Sequence, residues 1–156
     1  MKNPITQNGY NDLFREFDRI TRLRLEIAAE IEVARGYGDI SENAEYEFAK
    51  TRQAQNEAKI ARLQEFMSNA EVITSIGLVK DGRVVFGVSV KLLNSETEQE
   101  VTYKIVGETE SDIKNGMLSY RSPLAREIIG QYPGADIELE TPRGVNYYEI
   151  LDVLYD

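Results

Sequence analysis

The chain has 156 residues, 42% of them hydrophobic, and a formal net charge of −9. That length suits one ordinary domain or two small ones, and the composition fits neither a disordered nor a membrane-embedded chain. With no cysteine and no histidine, disulfides, thiol nucleophiles, Ser-His triads and Cys/His zinc sites are excluded, so any acid-base or metal chemistry falls to Asp, Glu, Lys or Tyr.

The N-terminal residues Met1 to Thr6 carry no apolar stretch of the kind a secretory signal needs. No apolar run approaches the ~18 residues that cross a bilayer. A cytoplasmic protein without a membrane partner is the expectation. Residues 1–75 hold 10 basic and 13 acidic side chains, and residues 76–156 hold 8 and 14. Neither half is basic enough to bind duplex DNA by itself, so a nucleic acid would have to be held by a partner.

Residues 8–35 place Leu13, Phe17, Ile20, Arg24, Ile27, Ile31 and Ala34 at alternating steps of four and three, the spacing of one helix face. Arg24 alone interrupts the stripe, and its long stem can lie along a seam. Residues 43–70 repeat the pattern with Tyr46, Ala49, Gln53, Asn56, Ile60, Leu63, Met67 and Ala70. Between them Gly36-Tyr37-Gly38 breaks the helical pattern. Two helices with a short connection pack antiparallel. At about 1.5 Å per residue a 28-residue arm reaches roughly 42 Å, so the expectation is a long, narrow hairpin. The larger side chains lie toward its open end, which predicts a stable base and a thinly packed tip.

From Val72 the pattern turns to strands. Asp81-Gly82 signals a turn before a strand over Val84–Val90, and Val101–Val106 alternates as a second strand. Ser122-Pro123 followed by Gly130 predicts a short helix with Ser122 as N-cap, Pro123 at the first position and Gly130 at the C-terminal cap. Two further strands, Asp136–Thr141 and Tyr147–Tyr155, are joined by Pro142-Arg143-Gly144. The fold class is α+β: a two-helix coiled-coil hairpin over residues 1–75, then a small, mostly antiparallel sheet domain with one short helix over 76–156.

The tip segment, near residues 36–46, carries Asp39 and Glu42 three apart. One reading is a helix cap, with Asp39 as N-cap and Glu42 bonding back to it. The other is a pair of metal ligands. Carboxylate oxygens suit Mg²⁺, which takes about six oxygen ligands, so two of them on an exposed tip bind it weakly unless something else completes the site. A tip that enters another protein's active site would meet that need.

The run Gly38-Asp39-Ile40-Ser41-Glu42-Asn43-Ala44-Glu45-Tyr46 resembles the tip signature of the Gre transcript cleavage factors of bacterial RNA polymerase. Further blocks follow in that family's order along nearly the whole chain: Pro4-Ile5-Thr6 with Gly9 and Leu13, Ser68 to Ile73, Val85-Phe86-Gly87, Tyr103 to Gly107, Ser122 to Arg126, and Thr141 to Gly144. Ile40 stands where the family usually has leucine. The resemblance implies a sheet domain like the FK506-binding prolyl isomerases that docks at the rim of the polymerase secondary channel. It implies that the hairpin enters that channel, and that Asp39 and Glu42 share a Mg²⁺ with the polymerase, which then cleaves RNA extruded by backtracking. The factor itself would be no enzyme.

Other residues carry two readings each under the resemblance. Ser41 and Asn43 orient water or contact RNA, or serve turn and cap chemistry. Tyr46 packs the last seam layer or stacks on RNA. Arg35, Lys50 and Arg52 contact RNA or polymerase, or are ordinary surface charges. The helix after Arg52 lacks a dense basic patch, which with Ser68-Asn69-Ala70 favours the A-type factors. The missing tryptophan argues against isomerase activity. Phe86, Tyr103, Tyr120 and Leu124 are candidates for core or docking residues. Rival functions are a secondary-channel inhibitor and a coiled-coil adaptor or chaperone. A monomer is expected.

Overall fold

A computed structural model of the chain describes residues 2–36, 44–74 and 80–155. Two long helices are present, α1 over Gln7–Arg35 and α2 over Ala44–Ser68. They follow a short strand β1 at Asn3–Ile5, which pairs with β2 at Ala70–Val72. The chain divides into two compact units. Tyr10–Ala70 form one, and Met1–Gly9 with Glu71–Asp156 form the other. The first nine residues thus group with the sheet, whereas a boundary near residue 75 would leave them with the hairpin.

In the hairpin the helices run antiparallel, as the pairs across it require. Arg24 meets Glu57, Arg52 meets Glu30, and Asn56 donates to the Ile20 carbonyl at 2.9 Å. The seam follows the predicted stripe, with Ile20, Ile27, Ile31, Ala34, Ala49 and Ile60 buried. Asn56 is buried among them because its amide finds that carbonyl, and a buried polar group is tolerated once hydrogen-bonded. Arg24 leaves the seam and reaches Glu57 with two hydrogen bonds of 2.7 and 3.0 Å. The expected gradient of packing is not found. Leu13, Phe17, Leu63 and Met67 are only half-buried, while the half nearer the connection holds a buried cluster of Ile27, Ile31 and Ala49 with Leu23 and Tyr46 against it. Small residues opposite isoleucines let two helices approach, so side-chain size alone misjudges burial.

In the other unit five strands form one sheet in the order β5-β4-β3-β7-β6. They are β3 at Ser89–Asn94, β4 at Glu100–Val106, β5 at Met117–Ser119, β6 at Asp136–Thr141 and β7 at Gly144–Leu154. The sheet is mixed, since β4 and β5 pair in parallel. The short helix α3, Pro123–Ile128, is capped as expected: the Ala125 amide donates to Ser122 Oγ at 3.2 Å. Gly130 follows it in the left-handed region at φ +91°, where glycine is the least strained residue.

Two details position this core. The strand expected over Val84–Val90 begins only at Ser89. Gly87 sits at φ +91°, so the chain turns at Val85–Val88 instead of running straight. The second detail is a bulge. Val90 faces Val153 and Leu92 faces Ile150, with the register slipping between Lys91 and Leu92. Ile150 and Val153 are three apart and would point to opposite faces of a regular strand. The extra residue corrects the parity and turns both inward. They join Val84, Val88, Val90, Leu92, Ile105, Leu118, Ala125, Ile128 and Ile137 in one buried core. Phe86, Tyr103, Tyr120 and Leu124 pack against it, and the Phe86 and Tyr120 rings meet edge to face at 5.9 Å.

The start of α1 is fastened within this unit. Glu110 accepts from the Thr6 amide at 3.1 Å, from the Gly107 amide at 2.9 Å and from the Thr6 hydroxyl. Thr6 Oγ1 in turn accepts from the Gly9 amide at 3.1 Å, which is side-chain capping of the first helical turn. A Cβ on Gly9 would overlap the Glu110 carboxyl, and one on Gly107 would come within 2.7 Å of the Pro4 carbonyl oxygen. Gly107 is required by that backbone approach, whereas the crowding at Gly9 is with the Glu110 side chain.

Candidate functional site

The connection between α1 and α2 is the segment from Gly36 to Asn43. Asp39, Ser41, Glu42 and Asn43 lie outside the described residues. Their capping and ligand readings therefore stand as sequence expectations. The remaining site candidates lie on the two helices that bracket this segment.

Tyr46 is half-buried against the Ile27, Ile31 and Ala49 cluster, one turn into α2. That is the packing role of its two readings. Arg35, in the last turn of α1, is exposed and pairs with Glu32 three residues back at 3.2 Å. A cation at a helix C-terminus also complements the helix dipole. Lys50 is exposed and donates to Gln53 Oε1 at 3.2 Å, and among the described residues it makes no ion pair. Arg52 crosses the hairpin, with Nη1 at 2.6 Å from both Glu30 oxygens. It therefore ties α2 to α1. Lys50 and Arg52, two residues apart on α2, do not share a helix face.

Among the described residues this end of the hairpin carries Glu26, Glu30, Glu32, Glu45 and Glu47 beside Arg35, Lys50 and Arg52, and of these Glu32 pairs with Arg35 and Glu30 with Arg52. This half of the hairpin has, among the described residues, no surplus of cations over carboxylates, the surplus that binding to a phosphate backbone draws on. Among the described residues no group of three or more Asp or Glu is placed to hold a metal ion, and no helix is long and apolar enough to cross a membrane.

One feature of this end was not read from the sequence. Val33 on α1 is 59% exposed and Phe48 on α2 is 67% exposed. Both line a groove of about 660 Å³ that also takes in Ala29, Ala44 and Ala49. Off-seam apolar residues are common on surfaces, so only their convergence in space singles them out.

Comparison with known proteins gives a consistent result. Residues 3–72 match the family model described as the N-terminal part of the transcription elongation factors, and residues 79–155 match the C-terminal part of GreA/GreB. The transcription elongation factor GreA of Psychrobacter cryohalolentis is 45% identical over 98% of this chain and 98% of its own. The GreA of Orientia tsutsugamushi is 45% identical over 97% and 96%, and that of Nitratiruptor sp. 42% identical over 99% and 94%. Among solved structures, the GreA factor homolog 1 of Thermus thermophilus aligns over 98% of this chain and 99% of its own, at 22% identity and a TM-score of 0.43.

Proposed function

This chain belongs to the GreA/GreB family of transcription elongation factors, and on that premise we propose that it stimulates transcript cleavage by bacterial RNA polymerase in the cytoplasm. In this reading the hairpin enters the polymerase secondary channel and carries Asp39 and Glu42 to the active site. The sheet unit holds the factor at the channel rim. Backtracked RNA is the substrate, and the polymerase performs the cleavage.

The observation that carries the reading is the place of the two carboxylates in the chain. They fall on the short connection between antiparallel helices of 29 and 25 residues, each roughly 40 Å long at 1.5 Å per residue. Such a pair can be delivered deep into a cavity that a globular face could not enter. Their oxygen donors fit Mg²⁺, a hard cation, and leave most of its coordination to others. When bound, Mg²⁺ supplies positive charge for the attacking and leaving oxygens of an in-line displacement. The acidic surroundings suit the same role, because the surplus of carboxylates beside the tip makes no independent claim on RNA. Lys50, which makes no ion pair among the described residues, is the side chain best able to meet an RNA phosphate.

Isosteric removal of charge tests this. Asp39→Asn and Glu42→Gln, added to stalled elongation complexes in Mg²⁺, should each lower stimulated cleavage by about 100-fold, with helicity unchanged, because losing even an outer-shell partner of a metal ligand typically costs about 10–100-fold. Polymerase-free chain should not hydrolyse RNA. A variant that folds and still stimulates cleavage removes its residue from the mechanism.

A further inference from the structure

We propose that the groove between Val33 and Phe48 docks a short basic amphipathic segment of the polymerase, one apolar side chain flanked by Lys or Arg. The proposal rests on the function inferred above for where the hairpin goes. Its own ground is the groove. Val33 and Phe48 stand as two exposed apolar walls, and Ala29 and Ala44 keep the space between them open. The volume, about 660 Å³, is ample for an inserted aliphatic or aromatic side chain.

The rim selects the occupant. Glu26, Glu30 and Glu45 line the groove. Glu30 is engaged by Arg52, whereas Glu26 and Glu45 make no ion pair among the described residues. An apolar slot edged by unneutralised carboxylates attracts cations and repels phosphate, which disfavours RNA on this face. It equally disfavours a second copy of this chain. A two-fold contact through the same patch would set Glu26 and Glu45 of one copy against those of the other, like charge to like. A cation-flanked apolar anchor satisfies both the walls and the rim. The groove lies about one turn from the start of α2, close enough for its occupant to steady the tip without entering the cleavage chemistry.

The test measures binding of fluorescently labelled full-length chain to stalled elongation complexes, with cleavage followed in the same samples. The Val33→Ser/Phe48→Ser double variant should raise the half-saturating concentration about tenfold, the size expected for truncating a buried anchor. Glu26→Lys should raise it about threefold, an effect that shrinks with added salt. Cleavage at saturating factor should be unchanged in both. Glu26 is exposed, so its variant reports even if the double variant loses helicity. Unchanged binding in a folded double variant overturns the proposal. So does a wild-type dimer that the double variant abolishes, or RNA binding by polymerase-free chain that it abolishes. A wild-type chain that binds polymerase without stimulating cleavage defeats the proposed function, while the binding comparison still decides the groove. A wild-type chain that does not bind polymerase overturns both.

Discussion

The sheet unit and the hairpin bury apolar surface in different ways. In the sheet unit Val84, Val88, Val90, Leu92, Ile105, Ile128 and Ile150 are completely shielded, because a sheet with a helix across it closes around them. The hairpin has only one seam. Ile20 and Ile27 are its best-buried large side chains, and the rest of each helix faces outward. The hairpin supplements that seam with polar ties, Asn56 to the Ile20 carbonyl and the Arg24–Glu57 and Arg52–Glu30 pairs. A slender element accepts this arrangement because reach requires a small cross-section. The lesson is that stability resides mainly in one unit and the proposed chemistry at the end of the other.

Deleting matched core side chains sharpens this contrast. Ile150→Ala should cost about 2–5 kcal/mol, since it opens a cavity within a closed core. Ile27→Ala should cost less, because two helices can settle toward each other over the gap. It should lower helicity while tyrosine signals from the sheet unit persist. Urea titration followed by far-ultraviolet and near-ultraviolet circular dichroism checks both. Equal losses by both probes would break the comparison and make the two units one cooperative fold.

A smaller effect is expected where α1 starts. Glu110→Ala removes the acceptor for the Thr6 and Gly107 amides, and leaving buried donors unsatisfied costs about 1–3 kcal/mol. Gly9→Ala sets two effects against each other. Alanine gains about 1 kcal/mol in helix propensity over glycine, but its Cβ must displace the Glu110 carboxyl. Displacement forfeits the same hydrogen bonds, so Gly9→Ala should lower the thermal midpoint. A raised midpoint would mean that Glu110 contributes little.

What the sequence made legible follows from periodicity and caps. The helical stripes from Leu13 to Ala34 and from Tyr46 to Ala70 are long enough to be read against chance, and Ser122-Pro123 is a cap with a defined hydrogen bond. What it hid has equally physical causes. Val84 to Val90 reads as a valine-rich strand with Gly87 and Ser89 within it, yet Gly87 turns it. The strands Asn3–Ile5, Ala70–Val72 and Met117–Ser119 are too short to show alternation. The bulge opposite Lys91 and Leu92 is a property of pairing, which no single strand encodes. At the candidate site the cations Arg35, Lys50 and Arg52 were legible as residues; Arg35 and Lys50 find Glu32 and Gln53 three positions away on their own helices, whereas the Glu30 partner of Arg52 depends on which helix faces which. Val33 and Phe48 lie off the seam and become a groove only once the helices are side by side.

The smallest effect belongs to the tie that the sequence showed as a flaw in the stripe. Arg24 takes the seam position that an aliphatic residue would fill, and it meets Glu57 in a two-pronged pair with both side chains about half exposed, 47% each. The hydrogen bond to Glu57 also holds the guanidinium pKa above its ordinary value, and Arg24 stays charged at any working pH. Exposed pairs gain little, because water screens them and both long side chains lose freedom. Arg24→Ala should therefore change the thermal midpoint only slightly, and less at 1 M salt, where screening reaches within about 3 Å. Arg24→Leu separates the charge from the seam. If the pair matters only as surface electrostatics, leucine at this position should stabilise the hairpin by completing the apolar stripe. If Arg24→Leu and Arg24→Ala both lower the midpoint well beyond the slight change expected of an exposed pair, the Arg24–Glu57 pair fixes the alignment of the two helices, and the polar ties rank with the seam in holding the hairpin together.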